Sequence, residues 1–198
     1  MKKNTIAAFD FDGTITTKDS FSQFIIFSKG YSRFFLGLLI YSPFLIAYKL
    51  RLYPNWKIKE KLFSYFYKNT REDEFNQWGE AFANKIDRIT KPKAIEAIKK
   101  HMAENATVII VSASIANWIK PWGQKNGIEI ILSTEVETDN TKRLTGKLRT
   151  RNCNGKEKVN RIAATFPNRE EYYLIAYGNS RGDKEMIEFA DNGRYHHF

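Results

Sequence analysis

The chain has 198 residues and a hydrophobic fraction of 42%, enough for one core with room for an inserted lobe, which excludes a disordered polypeptide. Its single cysteine, Cys153, excludes an internal disulfide and a Cys-based zinc cage, and His101, His196 and His197 are poorly spaced for a ligand set. The net charge of +10 is concentrated: residues 29–68 hold eight cations and one acid, a local charge of +7, which points to an anionic partner surface.

Met1-Lys2-Lys3 runs straight into a strand pattern, unlike a signal peptide, so a reducing, cytoplasmic setting is the expectation. The apolar, partly β-branched run 5–9 reads as a buried strand that delivers Asp10 and Asp12, with Gly13 as a sharp exit. Residues two apart on a strand share a face, so both carboxylates can address one ligand. Held that close they repel unless a cation lies between them, and oxygen-only ligands suit Mg2+. An Asp-rich turn or helix cap gives the same pair, so the motif needs support from elsewhere in the chain.

From Thr17 to about Lys91 the rhythm is helical. Asp19 or Ser20 can cap a first helix that ends near Gly30. Residues 34–48 are free of charge but only 15 long, short of the roughly 20 a bilayer crossing needs, and they contain Pro43. The expectation is a buried helical hairpin; the alternative is a membrane-surface element, since cations flank the run and aromatic residues dot it. A basic, aromatic helix follows Pro54, and Thr70-Arg71-Glu72-Asp73 reads as a capping-box start for another with Phe75, Trp78, Phe82 and Ile86 on its inner face.

Beyond Pro92 the pattern alternates: helix 94–102, strand 106–111 stopping at Ser112-Ala113-Ser114, helix 115–127, strand 128–132, a hairpin between 134 and 151, a helix from Lys156, and a strand 172–177 ended by Gly178-Asn179-Ser180-Arg181-Gly182-Asp183. Such alternation means a parallel sheet with covering helices. The expected architecture is α/β, a doubly wound Rossmann-like core of residues 1–16 and 91–198 with a helical cap, 17–90, and a small β-hairpin. Asp10, Asp12, Ser112, Asn179, Asp183 and a lysine at 156 or 158 then gather at strand ends, where phosphoryl transfer would find a nucleophile, a proton source and cationic stabilisation.

Four motifs in this order, Asp10-Phe11-Asp12-Gly13-Thr14, Ser112 after its strand, Gly155-Lys156-Glu157-Lys158-Val159 and Gly178-Asn179-Ser180-Arg181-Gly182-Asp183, resemble the haloacid dehalogenase superfamily in its phosphoserine phosphatase branch. The resemblance implies a Mg2+-dependent phosphatase in which Asp10 is the nucleophile and Asp12 the acid and base. Ser112, Ala113 and Lys158 would bind phosphate, and Mg2+ would be held by Asp10, the Asp12 carbonyl, residue 179 and Asp183. Lys158 fits better than Lys156, since the family's lysine directly precedes an apolar residue. The family usually has Gly-Asp-Ser where this chain has Gly178-Asn179-Ser180, so one formal negative charge is missing.

Asp19 stands where phosphoserine phosphatase has an acid for the substrate amine, and helix capping explains it equally well. The apolar, cationic cap is more similar to bacterial relatives that include phosphatidylglycerophosphatase C. The expected substrate is therefore a lipid phosphate or other amphiphilic phosphomonoester, with peripheral contact at the inner face of a membrane. The alternatives are a small-metabolite phosphatase and a catalytically impaired phosphate-binding relative. Nucleic acid is not expected as a partner, because the cations sit in an apolar lobe and no RRM or OB signature is present.

Overall fold

The computed structural model describes residues 3–198. Its centre is a parallel five-stranded sheet in the order β3-β2-β1-β6-β7, formed by β1 (Asn4–Phe9), β2 (Thr107–Ile115), β3 (Ile130–Thr134), β6 (Tyr172–Gly178) and β7 (Asn192–Tyr195). Strand β1 lies in the middle, its Ala7, Ala8 and Phe9 fully buried, because an apolar run can be covered on both faces by helices. The helices joining the strands are α6 (Pro92–Ala103), α7 (Ala116–Lys125), α8 (Lys156–Thr165) and α9 (Lys184–Phe189). Strand β7 has no counterpart in the sequence reading; Asn192-Gly193-Arg194-Tyr195 lacks the alternation of a strand and pairs only because β6 offers an edge.

Between β1 and β2 stand α1 (Ser20–Lys29), α2 (Tyr31–Ile40), α3 (Ser42–Lys49), α4 (Asn55–Tyr67) and α5 (Glu72–Ile86). The two passages into and out of these helices pair with each other: Thr17 N donates to Ile89 O and Lys91 N to Ile15 O, at 2.7 and 2.8 Å. Gly79 of α5 is pressed so closely to α7 that a Cβ there would lie 2.3 Å from the Asn117 carbonyl oxygen. From α7, Trp118 inserts among Phe24, Phe82 and Phe21, stacked on Phe24 with centroids 4.3 Å apart. The hairpin β4 (Val136–Thr138) and β5 (Leu144–Leu148) joins the same body through Asn69 N to Leu144 O and Leu144 N to Thr70 O, both 2.9 Å.

Three local expectations are corrected. The charge-free run 34–48 is neither buried nor a hairpin: α2 and α3 meet at 67°, and Phe35, Leu36, Leu39, Ile40 and Ile46 are exposed. Only one stripe, with Phe34, Tyr41, Phe44 and Leu45, packs on the core, and the helices are too peripheral for a second layer to cover the other. Thr70 does not cap α5; Arg71 precedes that helix without a side-chain cap, and Asp73 is held instead by the Arg71 guanidinium and the Glu74 amide. The second strand does not stop at Ser112: β2 continues to Ile115 through an irregularity in its pairing with β3, and the next helix begins at Ala116.

Candidate active site

Asp10 follows the last residue of β1, its amide donating to Tyr177 O of β6 at 2.9 Å, so its side chain projects from the carboxyl edge of the sheet where ligands of open α/β folds gather. The chain then makes one wide turn, residues 11–15, in which Gly13 has φ +81°. A Cβ at residue 13 would lie 2.2 Å from Asn179 Nδ2, so both the backbone angle and the close approach require glycine there.

Helix α8 supplies Lys158, which is 1% exposed. Its Nζ lies 2.5 Å from Asp10 Oδ1 and 2.7 Å from Asp183 Oδ1, and donates to Val111 O at 2.6 Å. Lys156, two positions earlier, lines a cleft outside this trio. Burial opposes the charge on Lys158, but the carboxylates of Asp10 and Asp183 outweigh it and hold the ammonium above its ordinary pKa. Burial pushes the Asp10 carboxyl up; the Lys158 ammonium opposes this, and the Asp183 carboxylate adds to it. Burial would raise Asp183 as well, but Lys158 and the Ser180 donors hold it below the usual carboxylate range. Asp183 Oδ2 accepts from Asn179 N, Ser180 N and Ser180 Oγ, at 3.1, 2.8 and 2.7 Å, so both its oxygens are engaged.

Asp12 is held differently. Its Oδ1 accepts from Ser20 N at 2.8 Å and its Oδ2 from the Ser114 hydroxyl. Burial pushes its carboxyl up to about 7; the charge of Asp19 adds to this, while Ser114 and Ser20 oppose it. A carboxyl near neutrality suits a group that must give and then take a proton. Asp19 Oδ1 accepts from Ser22 N at 2.7 Å and caps α1.

Ser112 Oγ, buried, accepts from Ser114 N at 3.0 Å. The Ala113 carbonyl accepts from Lys59 Nζ at 2.5 Å and Thr134 Oγ1 at 2.8 Å, so a helix of the inserted lobe touches the carboxyl end of β2. The trio of Asp10, Lys158 and Asp183 is thus joined by Asp12, Ser112, Ala113 and Asn179 at one edge, with Asp19 at the rim. Sequence reasoning missed Thr14, Ser20, Lys59 and Ser114. Thr14 was available in the motif after Asp12, whereas the other three are brought in by packing and had no local signal.

Whether the donors suit a divalent cation is tested by Thr14. Its Oγ1 is 3.1 Å from both Asp10 Oδ2 and Asn179 Oδ1. A hydroxyl has one proton to give, so one of these acceptors goes without, in a corner made of oxygen. Such a donor set fits a hard cation such as Mg2+. Among the described residues no three His, Cys, Asp or Glu side chains group as a metal cage. The neutral amide of Asn179 accounts for part of that shortfall.

The sequence pattern of the haloacid dehalogenase-like hydrolases matches residues 7–188. Protein CicA of Caulobacter vibrioides is 33% identical over 197 residues, with 98% of this chain and 86% of that protein aligned. A Bordetella pertussis Tohama I protein of unknown function has the same fold with a TM-score of 0.82 at 17% identity, covering 98% of this chain and 89% of that one. A phospho-aspartyl intermediate analogue of phosphoserine phosphatase superposes with a TM-score of 0.66 at 18% identity, covering 98% and 86%. At those identities the solved structures speak to the architecture alone. The family pattern, spanning both halves of the sheet and all of the helices inserted between them, makes the chain a member of the haloacid dehalogenase-like hydrolases.

Proposed function

We propose that the protein is a Mg2+-dependent phosphatase that hydrolyses a phosphomonoester through an aspartyl-phosphate on Asp10. The observation that supports this best is the pairing of two buried carboxylates with different partners: Asp10 is clamped by the Lys158 ammonium, while Asp12 is held by the Ser20 amide and the Ser114 hydroxyl and is pushed up to about 7 by burial. An Asp10 carboxylate oxygen attacks phosphorus as the P–O bond to the alcohol breaks, and Asp12, protonated, gives its proton to the leaving oxygen. Asp12, now a carboxylate, takes a proton from water, whose oxygen attacks the acyl phosphate; inorganic phosphate leaves and the Asp10 carboxylate is restored. Lys158 neutralises charge on the phosphoryl oxygens, and Ser112 Oγ and the Ala113 amide hold them. Mg2+, bound by Asp10, Asn179 and the Asp12 carbonyl, would supply charge neutralisation at the transferring group. Asp183, with both oxygens engaged, positions Lys158 and the 179–180 amides, and would help to hold the cation directly or through water.

For the substrate, the basic, apolar lobe favours a lipid phosphate or similar amphiphile over a small metabolite. Asp19, the candidate for an amine contact, spends one oxygen on capping α1.

Hydrolysis of p-nitrophenyl phosphate with and without Mg2+ tests the reaction, and a phospholipid and metabolite screen tests the substrate. Asp10→Asn is expected to abolish turnover and Asp12→Asn to lower it about 10²- to 10⁴-fold. Asn179→Asp is expected to reach half-maximal rate at lower Mg2+. Absence of hydrolysis in both the native chain and Asn179→Asp overturns the proposal.

A further inference from the structure

The outer face of α2 and α3 has no partner among the described residues. Leu39 and Leu52 are 71% and 77% exposed, and Tyr31, Phe35, Leu36, Ile40, Ile46 and Leu50 are each at least half exposed. Positions 31, 35, 36, 39 and 40 fall on one side of α2, and 46 and 50 are a turn apart at the end of α3. The opposite side of α2 faces inward, since a Cβ at Gly37 would strike the Phe66 ring. Arg33, Lys49 and Arg51 border the patch, and none has a carboxylate partner among the described residues.

An apolar patch of this extent marks an interaction site, and the rim of cations selects its occupant. A second copy of the chain packed on the same face would set like charge against like charge, in a segment that has eight cations and one acid. An anionic lipid surface meets both features, accepting the apolar side chains among its acyl chains and the cations among its headgroups. No single helix of the described residues is long and apolar enough to span, and α2 and α3, of 10 and 8 residues, reach that length and apolarity only together, as a pair bent by 67°.

Helix α4, which follows the patch in the chain, touches the catalytic edge. Trp56, at the start of α4, is half exposed and lines a cleft of about 850 Å³ together with Arg149, Arg151 and Lys156. Three positions on, Lys59 of the same helix touches the Ala113 carbonyl. At 1.5 Å per residue the two positions are about 4.5 Å apart along the helix.

We infer that the outer face of α2 and α3, with Leu50, Leu52 and Trp56, is a peripheral docking surface for an anionic bilayer, which sets the cleft mouth at headgroup level. This deepens the lipid-phosphate reading above, but it is measured without turnover, so either can fail alone. The test is co-sedimentation of the full chain with vesicles of phosphatidylcholine, with and without phosphatidylglycerol, at low and high salt. Binding is expected only with phosphatidylglycerol and is expected to weaken as salt rises. The triple variant Arg33→Gln, Lys49→Gln, Arg51→Gln should bind at least tenfold more weakly, from about fivefold per cation. Leu39→Ser with Ile46→Ser should also release the protein, with circular dichroism reporting that both variants remain folded. No binding at low salt overturns the inference, as does equal binding by the folded variants. A dimer in sedimentation velocity that Leu39→Ser with Ile46→Ser dissociates would overturn it too, assigning the face to a second copy.

Discussion

At the carboxyl edge of the sheet Lys158, Asp10 and Asp183 are charged and almost wholly removed from water, whereas on α2 and α3 Phe35, Leu39 and Ile46 are apolar and more than half exposed. Both regions depart from the usual partition of side chains, in opposite senses. The buried charges are answered within the chain: Lys158 Nζ has three oxygen acceptors within 2.7 Å, and Asp183 takes four donors. The exposed apolar groups are answered by nothing among the described residues. The contrast separates two ways of meeting a desolvation cost, by internal pairing at a reaction centre and by a surface that an external apolar phase can cover.

The contrast can be broken most forcefully at Lys158. Lys158→Met leaves two buried carboxylates uncompensated and is expected to lower unfolding free energy by about 3–5 kcal/mol in metal-free urea denaturation. A loss under about 1 kcal/mol would show that the trio is not paired in solution. The apolar side is sharpened by comparing two residues of the inserted lobe. Phe24, fully buried against Trp118, Phe75 and Phe82, should cost about 3–5 kcal/mol on replacement by Ala, while Leu39→Ser should stay within about 0.5 kcal/mol. Equal losses in the same urea titration would mean that the outer face is covered after all.

The smallest effect lies at an ordinary surface pair. Burial would raise Asp87, but hydrogen bonds from Lys125 and Trp122 Nε1, each 2.8 Å, outweigh it and hold the carboxyl below its usual pKa. A depressed carboxylate stabilises the fold above its unfolded pKa and loses that contribution as pH falls through the folded value. The melting temperatures of the native chain and Asp87→Asn should therefore differ slightly at neutral pH, within the ~0.2–1 kcal/mol range of exposed pairs, and converge in acid. A gap that widens in acid would reverse the assignment.

Much of this was legible in the linear order of residues. Apolar runs of strand length followed by Asp10, Ser112 and Asn179 announced a parallel sheet with polar groups at its carboxyl edge, because strand periodicity and exit residues are local properties. Which of Lys156 and Lys158 lies beside Asp10 was also readable, from the place of Lys158 before Val159 in a motif that resembles the family's. By contrast, Lys59 reaches the site only because α4 is packed against the end of β2, and Ser114 only because β2 ends beside Asp12; contacts across 54 and 102 positions of sequence leave no local mark.

The run 34–48 shows the converse. Phe34 and Phe35 are chemically alike and adjacent, yet one packs on the core and the other meets solvent. Hydropathy states the free energy gained if a side chain is covered, and only the tertiary arrangement decides whether there is enough protein to cover it. The amino-acid order by itself determined the alternating framework, the charge-bearing strand ends and the family. The three-dimensional packing decided which charges share a partner, which aromatic groups form the interior of the lobe and which stand outside it.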